Sequence, residues 1–124
     1  MLPPAHCQRY EQFQQQLQTL HQTMTQPEDD RPPLKASVAS LQQFFQAEIL
    51  TLNADELPVA IAHFVQSYQV EMDKQLRLLA MDAQFLQAAR QAATASHRQQ
   101  QIRDRLETLI RYCNAVLGEP ASDD

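Results

Sequence analysis

Apolar residues recur along this chain at intervals of three and four, and that interval predicts helices. Four such stretches stand out. The first covers about 5–26, where Tyr10, Phe13, Leu17, Leu20 and Met24 form a 3-4-3-4 seam between faces of Gln, Glu and Arg. Pro3 and Pro4 sit at its entry, where a missing N–H costs nothing. The second covers about 34–52. Its inner face is Leu34, Val38, Leu41, Phe45, Ile49 and Leu52, widened by Phe44. It ends near Asn53, after which Asp55 is placed to cap a third helix with Pro58 in its first turn.

The third stretch is the longest, about 56–93. Ile61, Phe64, Val65, Tyr68, Met72, Leu76, Leu79, Ala83 and Leu86 mark its inner face, and no Pro or Gly interrupts their span. The fourth covers about 96–117, with Ile102, Leu106, Leu109, Ile110, Cys113, Val116 and Leu117 inward. Thr94 or Ser96 is the expected N-cap, and Gly118 followed by Pro120 the stop. Between the first two stretches, residues 26–33 hold three prolines and an acidic run, which reads as an exposed flexible linker. Residues 119–124 read as a disordered acidic tail. The link between the last two helices is short, which places them antiparallel and adjacent. The expected fold is all-α: one domain over 1–118, an elongated antiparallel four-helix bundle with a long third helix. An overhanging end of that helix with apolar residues to cover makes a homodimer an expectation too.

Composition narrows the chemistry. The chain has 124 residues, the size of one domain. It contains twenty Gln, no Trp and a single Gly. One Gly argues against an all-β fold, whose tight hairpins consume it, and excludes Gly-rich phosphate loops. No run approaches 18 apolar residues, so no spanning helix and no membrane insertion are expected. The first residues lack the basic and apolar regions of a secretory signal. Two cysteines, Cys7 and Cys113, are too few for a disulfide framework, so the expected setting is cytoplasmic with both thiols reduced.

Candidate chemistry is sparse. A di-iron bundle needs Glu-x-x-His pairs, and the sequence has none. His6, Cys7 and Cys113 could approach one another if the first and last helices pack end to end, but a zinc site needs four such ligands. His6 and Cys7 are neighbours pointing about 100° apart on a helix, a poor base–nucleophile pair. Neither a catalytic residue, a metal site nor a cofactor is expected. Asp82, inside the third helix, is expected to pair with Arg77 or with a basic residue of the facing helix. Glu71 and Asp73 are expected to face solvent.

Charge changes this picture more than composition does. The net charge is −5, which argues against nucleic acid as a partner. Yet residues 74–111 hold seven basic residues against three acidic ones, a local charge of +4. That hairpin reads either as a solvated face with pairs such as Arg103 with Glu107, or as a docking surface for an acidic protein.

The run EMDKQLRLLAMDAQFLQAARQAAT over 71–94, RDRLETLIRYCNAVL over 103–117 and LPPAHCQRYEQF over 2–13 resemble the cyanobacterial PatD family, proteins linked to heterocyst frequency. The resemblance covers nearly the whole chain except 26–35. It implies a non-enzymatic regulator that binds the division protein FtsZ and alters its polymer assembly, in the cytoplasm and at the division site. Lys74, Gln75, Arg77, Asp82, Arg90, Arg98, Arg103 and Arg105 lie in or beside the family-like runs and are the expected partner surface. Of these, Asp82 and Arg90 read as structural, and Lys74 and Arg77 as exposed. The alternative is a helical adaptor or dimerisation module with another protein partner, which would pair through the Tyr10–Met24 seam of the first helix.

Overall fold

A computed structural model describes residues 2–26 and 32–118. Residues 27–31, the centre of the expected linker, and the expected tail 119–124 lie outside the described residues. The chain forms α1 (Pro4–Thr23), α2 (Leu34–Phe44) continued by a π-helical turn (Phe45–Ile49), a 3-10 turn (Ala54–Glu56), α3 (Val59–Ala88) and α4 (Ala92–Leu117). There is no strand among the described residues. The long third helix is present: its 30 residues span about 45 Å, against about 30 Å for α1.

The helices run up and down in sequence. α4 packs on both α3 and α1, and α2 packs on both α3 and α1, so α1 and α3 are diagonal to each other. Gln14 bonds Asn114 and His21 meets Glu107 at 3.0 Å, which fixes α1 antiparallel to α4. The seams meet at the centre. Tyr10, Phe13, Leu17, Ile49, Met72, Leu79, Ile102, Leu106, Leu109 and Cys113 have no more than a trace of exposed surface. Phe13 stacks nearly parallel to Phe44 at 6.1 Å and lies 5.7 Å from Phe45. The π turn begins at Phe45, directly after Phe44. Its signature is the Leu50 N–H, which reaches back five residues to the Phe45 carbonyl at 3.0 Å.

Several helix ends differ from the sequence reading. Asp55 does not cap α3. Asn53 takes the capping role for the short turn, its side chain accepting from the Asp55 N–H at 3.0 Å. Pro58 occupies the cap position of α3 rather than its first turn. It forces Leu57 into extended backbone (φ −108, ψ 145), so the short turn cannot run on into α3. α3 ends at Ala88, before the expected 93, because no large apolar side chain follows Leu86 to hold another turn inward. α4 begins at Ala92, ahead of both Thr94 and Ser96, and no side chain caps it. Good helix-forming alanines extend it past the expected cap. Phe64, expected inward, is 40 % exposed. Gly118 ends α4 in the left-handed region (φ 74), as expected, and is the sole described residue with positive φ.

Tyr10 carries its hydroxyl into this core. It accepts from Gln69 Nε2 at 2.8 Å. Burial pushes the phenol up from 10.0 to about 12; the Gln69 bond pulls it down, and Cys113 adds to the rise. The folded state therefore keeps this proton where the unfolded state has lost it. Its contribution is complete below pH 10 and is lost as pH rises towards 12, roughly 2–3 kcal/mol over that window. Urea titrations at pH 8 and pH 11 should show a smaller alkaline loss for Tyr10→Phe than for the parent chain. Equal losses in both chains would mean that the phenol is not held neutral by the core.

Candidate partner-binding surface

The residues expected to form one basic surface divide into three groups. The first is a buried clamp. Asp82 is 2 % exposed, on the flank of α3 that faces α4. Arg98 Nη1 donates to its Oδ1 at 3.1 Å, and Arg105 Nε donates to its Oδ2. Arg105 Nη1 also donates to Gln75 Oε1 at 3.4 Å, and Arg98 Nη1 to Gln101 Oε1 at 3.2 Å. The Arg98 guanidinium lies over the Phe85 ring, 4.6 Å from its centroid. Asp82 thus pairs with the facing helix and not with Arg77. The reason is angular, since residues five apart on a helix point about 140° away from each other. With both carboxylate oxygens bonded from α4, this clamp ties α3 to α4. Asp82, Arg98, Arg105 and Gln75 hold the hairpin together, and Asp82 offers nothing to a partner.

The second group lies on the outer face of α3. Lys74 is exposed, and Arg77, whose side chain is 69 % exposed, forms an i,i+4 pair with Asp73 at 3.3 Å. Asp73 is accordingly half-buried, whereas Glu71 is exposed as expected. Around the two cations stand Val70, Met81 and Phe85, all about half exposed or more, with Leu78 partly buried among them. Val59, Val70 and Met81 are spaced by eleven residues, three helical turns, and so return to one line. These apolar positions lie outside the inner seam. Their eleven-residue spacing is the signal in the sequence that marks them. The ridge from Val70 to Phe85 runs about 22 Å along one helix. These apolar side chains form one group on α3, rimmed by charge, rather than scattered single exposures.

The third group is peripheral. Arg90, read as structural, is exposed in the link after α3 and has no side-chain partner among the described residues. Arg103 donates to Gln100 Oε1 at 2.8 Å and not to Glu107, which faces His21 on α1 instead.

The other candidates do not assemble. His6, buried at the start of α1, lies 3.3 Å from Glu56 Oε1, and the Cys7 thiol donates to the Leu2 carbonyl at 3.6 Å. Cys113 is buried in the core. His63 and His97 are exposed. No group of three His, Cys, Asp or Glu is placed to hold a metal ion among the described residues. No helix among them is long and apolar enough to cross a membrane. The Tyr10–Leu17 part of the α1 seam is wholly buried within the chain, so it is not free to pair with another protein. No protein-family model, curated protein or solved structure matches this chain.

Proposed function

We propose that this protein is a non-enzymatic regulator of cell division that docks on FtsZ through the outer face of α3 and modulates its polymer assembly. In a filamentous cyanobacterium that action would influence heterocyst frequency, and the protein would gather at the division site. The observation that carries the docking surface is the ridge of Val70, Met81 and Phe85 around Lys74 and Arg77. The ridge supplies apolar area, and the two cations supply attraction to an acidic surface. The identity of the partner rests on the resemblance to the PatD family. Arg98 and Arg105, occupied by Asp82, support the hairpin that displays the ridge.

Co-sedimentation with FtsZ and GTP tests this reading. The protein should pellet with polymer at low salt and less so at high salt, because the cations contribute through screened attraction. Lys74→Glu combined with Met81→Asp should weaken co-pelleting roughly tenfold while the fold, read by circular dichroism, stays intact. Absence of co-pelleting at every salt concentration, with FtsZ polymerising normally, would reject FtsZ as partner. Undiminished binding by the folded double variant would reject the ridge.

A further inference from the structure

α1 stops short of the tip of the α3–α4 hairpin. The pairing of His21 with Glu107, near the end of α1, leaves α4 residues before about 104 beyond its last turn. The inward face of the hairpin tip is therefore short of one helix. The start of α2 flanks it, and a groove of ≈ 980 Å³ lies between them. Ala83, Leu86 and Ala95 line its apolar floor, Leu34 flanks it, and Lys35 and Arg90 stand at its rim. That volume is at the upper end of the roughly 300–1,000 Å³ typical of ligand clefts.

We propose that this groove docks an acidic peptide segment of another protein, with an apolar side chain on the floor and carboxylates on the rim. Charge complementarity selects that occupant. Among the described residues the groove is lined by two cations and no carboxylate, in a chain whose net charge is −5. The side chains of Lys35 and Arg90 are exposed and have no ion pair or hydrogen bond among the described residues. Both thus retain their full donor capacity. The backbone adds to the same field. α2 and α4 both begin at this groove, neither has a side-chain cap, and neither has an acidic residue in its first turn. Their first intrahelical bonds come from the Ser37 and Ala95 N–H groups. The preceding amides of residues 34–36 and 92–94 therefore lie at the positive ends of two helices. The alanine-rich floor adds apolar contact, which distinguishes a peptide with an apolar anchor from a bare anion. This site is separate from the α3 ridge and does not depend on FtsZ being the partner.

The test uses the full chain, labelled with nitrogen-15, and a capped five-residue peptide of alternating Glu and Leu. Its counterpart of alternating Lys and Leu is the control. The acidic peptide should shift the amides of residues 34–36 and 89–95 saturably, and the basic one should not. Lys35→Glu with Arg90→Glu should weaken binding roughly tenfold, and added salt should weaken binding to the parent chain. Ala39→Trp, which adds bulk at an exposed position of the wall, should block binding with both cations in place. Because all three positions are exposed, the variants should keep the parent melting curve. The proposal is overturned if the acidic peptide gives no saturable shift, or if its shifts fall on residues 70–81, the α3 ridge, and spare the groove. It is equally overturned if the charge-reversed chain binds as the parent does. Groove shifts that grow with protein concentration alone would assign the groove to a second copy and overturn it too.

Discussion

Replacing Asp82 by alanine should lower the stability of the chain by about 3 kcal/mol, one of the two largest effects expected of a single substitution here. The carboxylate is nearly sealed from water, while Arg98 and Arg105 retain 29 % and 20 % of their side-chain exposure. Deleting the acid leaves two cations that can still turn towards solvent, which holds the loss at the lower end of the roughly 3–5 kcal/mol seen when a buried pair is broken. In a chain of this size the melting temperature should fall by about 10 °C. Urea unfolding of Asp82→Ala measures the loss directly. Replacing Asp82, Arg98 and Arg105 together by apolar residues of similar volume should cost less than Asp82→Ala alone, because no charge is then stranded. A loss below about 1 kcal/mol in the single variant would mean that the clamp is solvated and does not bind α3 to α4.

Phe13→Ala should cost about 4 kcal/mol, the transfer free energy of a fully buried ring plus that of the cavity it leaves. Phe13 has no exposed surface and touches both aromatic rings at the α2–π junction. Those ring pairs add roughly 0.5–1.5 kcal/mol beyond their area. Both rings pack against this one side chain, so the surrounding helices have little freedom to collapse into the gap. Phe44→Ala removes a ring that is only partly buried and should cost about half as much. Equilibrium urea curves for the two variants give the comparison. A Phe13→Ala loss below about 1.5 kcal/mol would mean that α1 is not locked onto α2 by this ring.

The inner seams were legible in the sequence because burial on a helix is a local matter of spacing. Val38 and Leu41 on α2 with Phe45 and Ile49 on its π-helical continuation, or Met72, Leu76, Leu79 and Ala83 on α3, need only their three- and four-residue intervals to be placed inward. The ends were less legible. α4 starts at Ala92 without a cap, since packing in the hairpin outweighs the roughly 1 kcal/mol a cap contributes. The partners of Asp82 were beyond reach for a different reason. Its choice of Arg98 and Arg105 depends on how far α4 slides along α3, and a repeating seam is nearly indifferent to a slide of one turn. The expected basic surface was drawn from a count of charge along the chain. Charge along a helix says nothing about direction, so the count merged arginines turned into the hairpin with Lys74 and Arg77, which are turned out of it. Val70, Met81 and Phe85 are not legible in this way, because apolar residues outside the seam resemble ordinary surface scatter until the structure groups them on one face of α3.

The pairing of α1 with α4 also bears on how the chain is made. Gln14 finds its partner 100 residues later in sequence, and the Tyr10, Phe13 and Leu17 face is closed on that side by α4. At about 5–20 residues per second, α1 leaves the ribosome some 5–20 s before the helix that completes its shelter. For that interval the most apolar stripe of the first helix can be covered only by α2 and its two phenylalanines. The early contact of Phe13 with Phe44 and Phe45 then acts as a temporary cover, protecting a nascent chain whose final neighbour is still being synthesised.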